Sequence, residues 1–121
     1  MARGGRGSNT LRIIGGQWRG RKLRFADAEG LRPTTDRVRE TLFNWLAPVI
    51  EGARCLDLFA GSGALGLEAL SRGAATVVFV DAAPRAVAAI AGHLETLGAT
   101  EGRALRADAL AFLRGPVEAF D

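Results

Sequence analysis

The sequence predicts an α/β protein in which parallel strands are flanked by helices, entered through a basic β-hairpin and a leading helix. Three observations carry that expectation. From Arg54 onward, short apolar runs alternate with stretches of helical periodicity, the pattern of strand–helix–strand units in a parallel sheet. Gly61, Gly73, Pro84 and Gly98 fall where each unit must turn or start afresh. The 121 residues are 48% hydrophobic and 24% charged, enough for one globular domain and too apolar for a chain disordered throughout.

Charge is unevenly placed. Residues 1–24 carry seven basic side chains and no acid, whereas the remainder holds nine basic against thirteen acidic side chains, for a net +3 overall. A basic head on an acidic body points to a polyanionic partner, nucleic acid first, with a solvated arm as the bland reading. Cys55 and His93 are the sole residues of their kinds, so a disulfide framework is excluded, a structural zinc site lacks ligands, and no metal is expected. Such cysteine use suits a reducing cytoplasm. Residues 1–10 lack the apolar segment of a secretory signal, and charge interrupts each longer apolar run, so no membrane partner is expected.

Residues 1–10 have little to bury and read as a basic, disordered arm. Residues 11–14 and 21–25 read as strands of a hairpin joined through residues 15–20, and residues 11–30 as hairpin plus link. Arg12, Arg19, Arg21, Lys22 and Arg24 surround Trp18, giving positive charge beside an aromatic face able to stack on a base; Trp18 packed on the body is the alternative. A helix starts at Thr34-Thr35-Asp36, with Val38, Leu42, Trp45, Leu46 and Val49 on one apolar stripe and Arg37, Glu40, Thr41 and Asn44 on the opposite flank; Pro48 stops it near its last turn. Residues 55–59 form the first sheet strand and 62–72 a helix ended by Gly73. Residues 76–80 form the second strand, followed by a helix from Pro84 burying Val87, Ile90, Ala91, Leu94 and Leu97, with His93 on its outer surface. Residues 103–106 form a weaker third strand and 109–114 a short helix, and residues 117–121 look like the opening of a fourth strand. Cys55 reads as a small buried hydrophobe.

The run Asp57-Leu58-Phe59-Ala60-Gly61-Ser62-Gly63-Ala64-Leu65-Gly66 sets G-x-G-x-x-G between a strand and a helix, where glycines let a ligand approach the backbone and a helix start offers free N–H groups. Two features lead away from dinucleotides. Asp57 lies four residues before Gly61, where it repels a pyrophosphate and attracts an ammonium or sulfonium, and Ala60 separates the strand from the first glycine. Asp81 ends the second strand twenty residues after Gly61, a separation suited to holding ribose hydroxyls. Asp108 closes the third strand. The three acids gather along the crevice where open parallel sheets bind ligands, although Asp108 before Ala109 also fits a plain helix cap.

D-L-F-A-G-S-G with Asp81 and Asp108 resembles the nucleoside-binding motifs of S-adenosylmethionine-dependent methyltransferases. Residues 11–23, L-R-I-I-G-G-Q-W-R-G-R-K-L, and residues 31–44, L-R-P-T-T-D-R-V-R-E-T-L-F-N, narrow the resemblance to bacterial 16S ribosomal RNA guanine-N2 methyltransferases, over residues 11–121. The resemblance implies a Rossmann-like methyltransferase fold, residues 31–121 being its N-terminal part, truncated after the third strand–helix unit. It implies that Gly61, Ser62 and Gly63 underlie the methionine moiety, with Asp57 near its amino group. Asp81 would hold the ribose, and Asp108 with the Ala109 amide the adenine edge. Arg32, Pro33, Thr34 and Thr35 would close over the cofactor, with Arg37 and Glu40 facing the same cavity. The hairpin residues Arg12, Trp18, Arg19, Arg21, Lys22 and Arg24, with Arg37, would grip ribosomal RNA or the small ribosomal subunit through phosphate contacts. A full-length member is expected to be a monomer.

One departure bears on chemistry. The family's Asp/Asn-Pro-Pro-Tyr/Phe tetrapeptide, understood to accept hydrogen bonds from the guanine amine and stack the flipped base, does not occur in these residues. No catalytic residue is therefore assigned, and no methyl transfer is expected of this exact chain. With the family's strand order a fourth strand would pair beside residues 55–59; without it that strand is an open apolar edge prone to association. The rival readings are a nicotinamide-binding Rossmann domain, a non-catalytic RNA-binding module and an adenine-N6 DNA methyltransferase fragment.

Overall fold

The structure, a computed structural model, describes residues 10–24, 35–58, 60–115 and 120–121. The expectations for residues 1–9 of the arm, for Arg32, Pro33 and Thr34, for Phe59 and for residues 116–119 lie outside the described residues, whereas Thr10, given to the arm, belongs to the first strand, where its backbone pairs opposite Arg24. Strands β1 (Thr10–Arg12) and β2 (Lys22–Arg24) pair antiparallel with Leu11 opposite Leu23, shorter than predicted. Pairing nonetheless continues inward, because Ile13 N–H donates to the Arg21 carbonyl and Gly20 N–H to that of Ile13.

Helix α1 (Asp36–Ile50) begins where predicted: the Thr35 hydroxyl accepts from Val38 N–H at 3.2 Å, satisfying a first-turn donor. The helix ends at Ile50, two residues past Pro48, so the proline sits in the last turn as expected, where its ring removes the donor from which the Asn44 carbonyl would otherwise accept. The buried face, in contrast, is rotated from the predicted stripe. Arg39, Phe43 and Ile50 point inward and Leu42 and Leu46 are half-buried, while Val38, Trp45 (77% exposed) and Val49 face outward. The cause is Arg39, a charged residue that is 1% exposed and occupies a position a polarity count gives to solvent.

The sheet is parallel, in the order β3 (Arg54–Asp57), β4 (Thr76–Asp81), β5 (Gly102–Arg106), with Cys55 opposite Val77 and Phe79 opposite Ala104. Helices α2 (Ala64–Ser71), α3 (Pro84–Leu97) and α4 (Ala109–Arg114) follow the three strands in turn. Val77 and Phe79 join Leu67, Leu70, Ile90 and Leu94 in one core that also takes in Phe43, Leu11, Ile13 and Leu23. Full burial of such side chains contributes about 1.5–3 kcal/mol each. Within α3 the inward face runs through Ala86, Ile90, His93, Leu94 and Leu97, so two assignments change: Ala91 is exposed, and His93 is buried at 7% exposure rather than at the surface. The inward residues fall at i, i+4, i+7, i+8 and i+11, and a helix that buries Ala86 brings position 93 inward by the same period.

Strand β3 is an edge of the described sheet. At its start Asp121 N–H donates to the Arg54 carbonyl at 2.7 Å and Arg54 N–H donates to Asp121 Oδ2 at 2.8 Å, so the last residue lies alongside β3, where the fourth strand was expected. Among the described residues no helix is long and apolar enough to cross a membrane.

Candidate functional site

The carboxyl ends of β3, β4 and β5 are stitched together by their own loops. Ala60 N–H donates to the Val80 carbonyl at 3.0 Å, and Ala107 N–H to that of Asp81 at 3.0 Å, so the three post-strand turns share one rim. The first is built by glycine. Gly61 and Gly63 have φ of 56° and 83°, in the left-handed region, and a Cβ at Gly63 would stand 3.0 Å from Ile90 Cγ1. Gly63 N–H closes the turn on the Ala60 carbonyl at 2.7 Å and Ser62 is buried. Gly66 serves a different need: a Cβ there would lie 2.7 Å from Phe79 Cζ and nearer still to Cε2, so its absence lets α2 press onto β4.

Asp81 is the hinge of the rim. Its Oδ2 accepts from Gly61 N–H and its Oδ1 from Ala83 N–H, both at 2.9 Å. Each oxygen keeps a second lone pair able to accept a ligand hydroxyl. Half-buried Asp57 accepts from Gly66 N–H at 3.1 Å. Burial pushes its carboxyl above the ordinary value; the Gly66 bond opposes this, and the negative charge of Asp81 adds to it. Among the described residues no ion pair joins either carboxylate at this turn. A bound ammonium or sulfonium would relieve that tension, whereas a pyrophosphate would deepen it, so the residues fit a cationic nucleoside better than a dinucleotide. Asp108 adopts the plainer role, its Oδ2 capping α4 by accepting from Leu110 and Ala111 N–H at 3.1 and 3.3 Å. Exposed Asp108 and half-buried Ala109 remain on the same rim.

The other predicted residues separate from this crevice. Arg19, Arg21, Lys22 and Arg24 are exposed along the hairpin, and Trp18 is half-buried against the core. Arg12 pairs with Asp36 at 3.0 Å. Glu40 lines a cleft of about 250 Å³ between hairpin and α1, with Arg12, Arg19 and Asp36 and without the glycine turn; Arg37 is exposed. A larger apolar cavity of about 350 Å³ lies between α1, α2 and the β3 edge, with Asp57 and Gly66 among its lining residues. Cys55 lines it, half-buried, its thiol pushed upward by burial and then by Asp121.

Sequence reasoning missed the attachment of the hairpin. Glu68, 1% exposed, accepts from Ile14 and Gly15 N–H at 2.9 Å each and from Arg72 Nε at 2.8 Å, with Arg39 Nε at 3.9 Å. Arg39 also donates to the Arg12 carbonyl and to Asp36, at 2.8 and 2.7 Å. The available signal was a lone carboxylate in the otherwise apolar helix A-L-G-L-E-A-L-S.

The fold and this rim define an α/β domain of the Rossmann-like methyltransferase class. The chain belongs to the family described as Conserved hypothetical protein 95, whose model matches residues 11–121. It is 60% identical over 107 residues to Ribosomal RNA small subunit methyltransferase D of Escherichia coli (strain K12), covering 88% of this chain and 54% of that relative. Identity is 50% over 108 residues to the protein of the same name from Haemophilus influenzae, covering 88% and 56%. The solved structure of yhhF from Escherichia coli superposes with a TM-score of 0.81 at 55% identity, over 87% of this chain and 56% of that one. The chain spans about half the length of the curated relatives it matches.

Proposed function

We propose that this chain supplies the cofactor- and RNA-binding part of an enzyme that methylates the exocyclic N2 of a guanine in 16S ribosomal RNA, with S-adenosylmethionine as donor, in the cytoplasm. The observation that carries the reading is the pair of carboxylates, Asp57 and Asp81, on one glycine turn. When bound, the cofactor supplies an electrophilic methyl group on a sulfonium. Asp57 would receive its ammonium, the turn of Gly61, Ser62 and Gly63 would hold the methionine portion, and Asp81 would accept from the ribose hydroxyls with its remaining lone pairs. Asp108 and the Ala109 amide would meet the adenine edge. Arg32, Pro33, Thr34 and Thr35 would cover the cofactor.

The hairpin forms the grip on RNA in this reading. Arg19, Arg21, Lys22 and Arg24 neutralise phosphates, Arg37 extends the charge and Trp18 offers the exposed part of its ring; Arg12 is shared with Asp36. No residue of this chain is assigned the role of accepting the proton from the guanine amine. Support for the RNA assignment comes from relatives named for ribosomal RNA and from the position of the cations.

Calorimetric titration with S-adenosylhomocysteine tests the proposal. The chain should bind it, and Asp81→Ala should abolish that binding while leaving a salt-sensitive RNA contact intact. Tighter binding of NADH than of S-adenosylhomocysteine would overturn the cofactor assignment. RNA affinity with no cofactor binding at all would leave a non-catalytic RNA module.

A further inference from the structure

We propose that Glu68 is a positioning residue for RNA engagement: its buried carboxylate clamps the turn of the basic hairpin onto α2, fixing the cations relative to the glycine turn from which α2 starts. The inference rests on the RNA reading above and deepens it.

A hairpin that served only as a charged arm would need no anchor. This one is held by two side chains at i and i+3 on α2, with Arg72 just past the helix end bracing the first of them. Glu68 takes the N–H groups of Ile14 and Gly15. Ser71 accepts from Trp18 N–H at 3.0 Å and donates to the Gly15 carbonyl at 2.5 Å, while its own carbonyl accepts from Gln17 N–H at 2.8 Å. Arg72 Nε donates to Glu68 Oε2, the oxygen that also accepts from Gly15 N–H, and its guanidinium carbon lies 5.4 Å from the centre of the Phe43 ring. From the other side Arg39 draws in the Arg12 carbonyl. The bonds that Glu68, Ser71 and Arg39 make to the hairpin all go to its backbone, so the clamp sets its pose whatever its side chains do, and leaves Arg19, Arg21, Lys22 and Arg24 outward.

A buried carboxylate must be fully partnered to be tolerated, and here its partners are the hairpin itself and two arginines. Neutralising Glu68 therefore frees the turn without removing one positive charge from the ribbon. A loosened ribbon can still reach phosphates, but must be ordered on the RNA at an entropic cost. Charge removal and loss of position then leave different signatures. The first lowers the slope of log affinity against log salt by about one per contact. The second weakens binding equally at every salt concentration.

The test uses the full chain, a fluorescent RNA stem-loop as probe, and KCl from about 50 to about 200 mM. Glu68→Gln should weaken binding about tenfold throughout, with unchanged slope. Exchange of the Ile14 and Gly15 amides should accelerate, and S-adenosylhomocysteine affinity should stay within twofold or so of wild type. Arg19→Ala/Arg21→Ala is the contrast, with a reduced slope. Because Glu68→Gln leaves buried arginines short of a counter-charge, Arg39→Met/Glu68→Met is the companion: it removes the central charges together, a change folded proteins tolerate. Its RNA affinity should fall in the same slope-preserving way. Wild-type RNA affinity in either folded variant, a reduced slope, or failure of both variants to fold overturns the positioning role. Absence of RNA binding by the wild type would instead overturn the reading beneath it, before any variant is compared.

Discussion

Gly66→Ala pits two well-understood effects against each other. Replacing glycine by alanine inside a helix is favourable by about 1 kcal/mol. Against that, the new Cβ would lie 2.7 and 2.9 Å from Phe79 Cζ and Cδ2, and closer to Cε2, where ordinary carbon contacts are about 3.5–4.0 Å. The ring must retreat by roughly 1 Å, and it has nowhere to go: Phe79 is 1% exposed, in the central strand of the described sheet, between Val78 and Val80, which are buried on the other face. Overpacking of this kind costs about 1–3 kcal/mol, and three close ring atoms place it toward the upper end. The net loss is about 1–2 kcal/mol, or a fall in Tm of about 4–10 °C for a domain of this size. Calorimetry and urea unfolding give the value. Phe79→Leu should be costly alone yet partly rescue Gly66→Ala, with a coupling of about 1 kcal/mol in the double-mutant cycle. Since Gly66 N–H also holds Asp57, S-adenosylhomocysteine binding should weaken along with stability. A Gly66→Ala protein as stable as wild type, with additive behaviour toward Phe79→Leu, would refute the close-approach argument.

Asp57→Asn should stabilise the unliganded protein and abolish cofactor binding. The carboxyl of Asp57 is pushed up chiefly by burial, so the folded state retains its proton after the unfolded chain has lost it, and the group's contribution to stability falls as pH rises from the ordinary carboxylate range through the raised value. The amide keeps the acceptor for Gly66 without the charge; a gain of about 0.5–2 kcal/mol at neutral pH, read by thermal unfolding, is expected, and a loss would contradict it. His93 works with the opposite slope. Burial lowers its pKa from 6.5, so the unfolded chain takes up a proton first and stability is lost as pH falls below 6.5 toward the lowered value. His93→Leu should remove that dependence and also relieve a buried Nε2 that has no partner; an unchanged pH slope in urea unfolding would count against it. Trp45→Glu with Val49→Lys should reduce self-association in sedimentation velocity without lowering Tm, because both side chains are exposed; equal self-association in the variant would show that this face is not the sticky one.

The sheet and its rim were legible because they rest on local signals. Glycines at 61, 63 and 66, proline at 84 and the β-branched run before Asp81 each announce a turn, a helix start or a buried strand without reference to anything distant. Asp108 was legible in both its readings, and the structure displays the capping one. What escaped were the places where burial of a polar group depends on a partner far along the chain. Arg39 and Glu68 look like solvent residues until Ile14 and Gly15, more than fifty positions from Glu68, supply the N–H groups that make burial tolerable. Those bonds dock the ribbon on α2, while on α1 Arg39 and Phe43 turn inward and Trp45 outward. His93 was misplaced for the related reason that a buried imidazole with an unanswered nitrogen violates the rule by which polar residues are set outside.

Helix α2 explains why the hairpin cannot be an optional attachment. Ala64, Gly66, Leu67, Glu68, Ala69, Leu70 and Ser71 are all buried, so this helix has no solvent face and needs neighbours on every side. The hairpin provides one of them and contributes Leu11, Ile13 and Leu23, at 1%, 1% and 4% exposure, to the core. At about 1.5–3 kcal/mol for each such side chain, losing the three forfeits about 5–9 kcal/mol as an upper estimate. The carboxylate of Glu68 would also be stripped of two donors. That sum rivals the whole stability of a typical domain, about 5–15 kcal/mol. Removal of residues 1–24 should therefore abolish cooperative unfolding, as followed by circular dichroism and calorimetry, and with it the glycine turn that α2 carries. A shortened chain that still melted cooperatively near the wild-type Tm would show that α2 is covered without the hairpin, and that the RNA grip and the cofactor crevice are separable after all.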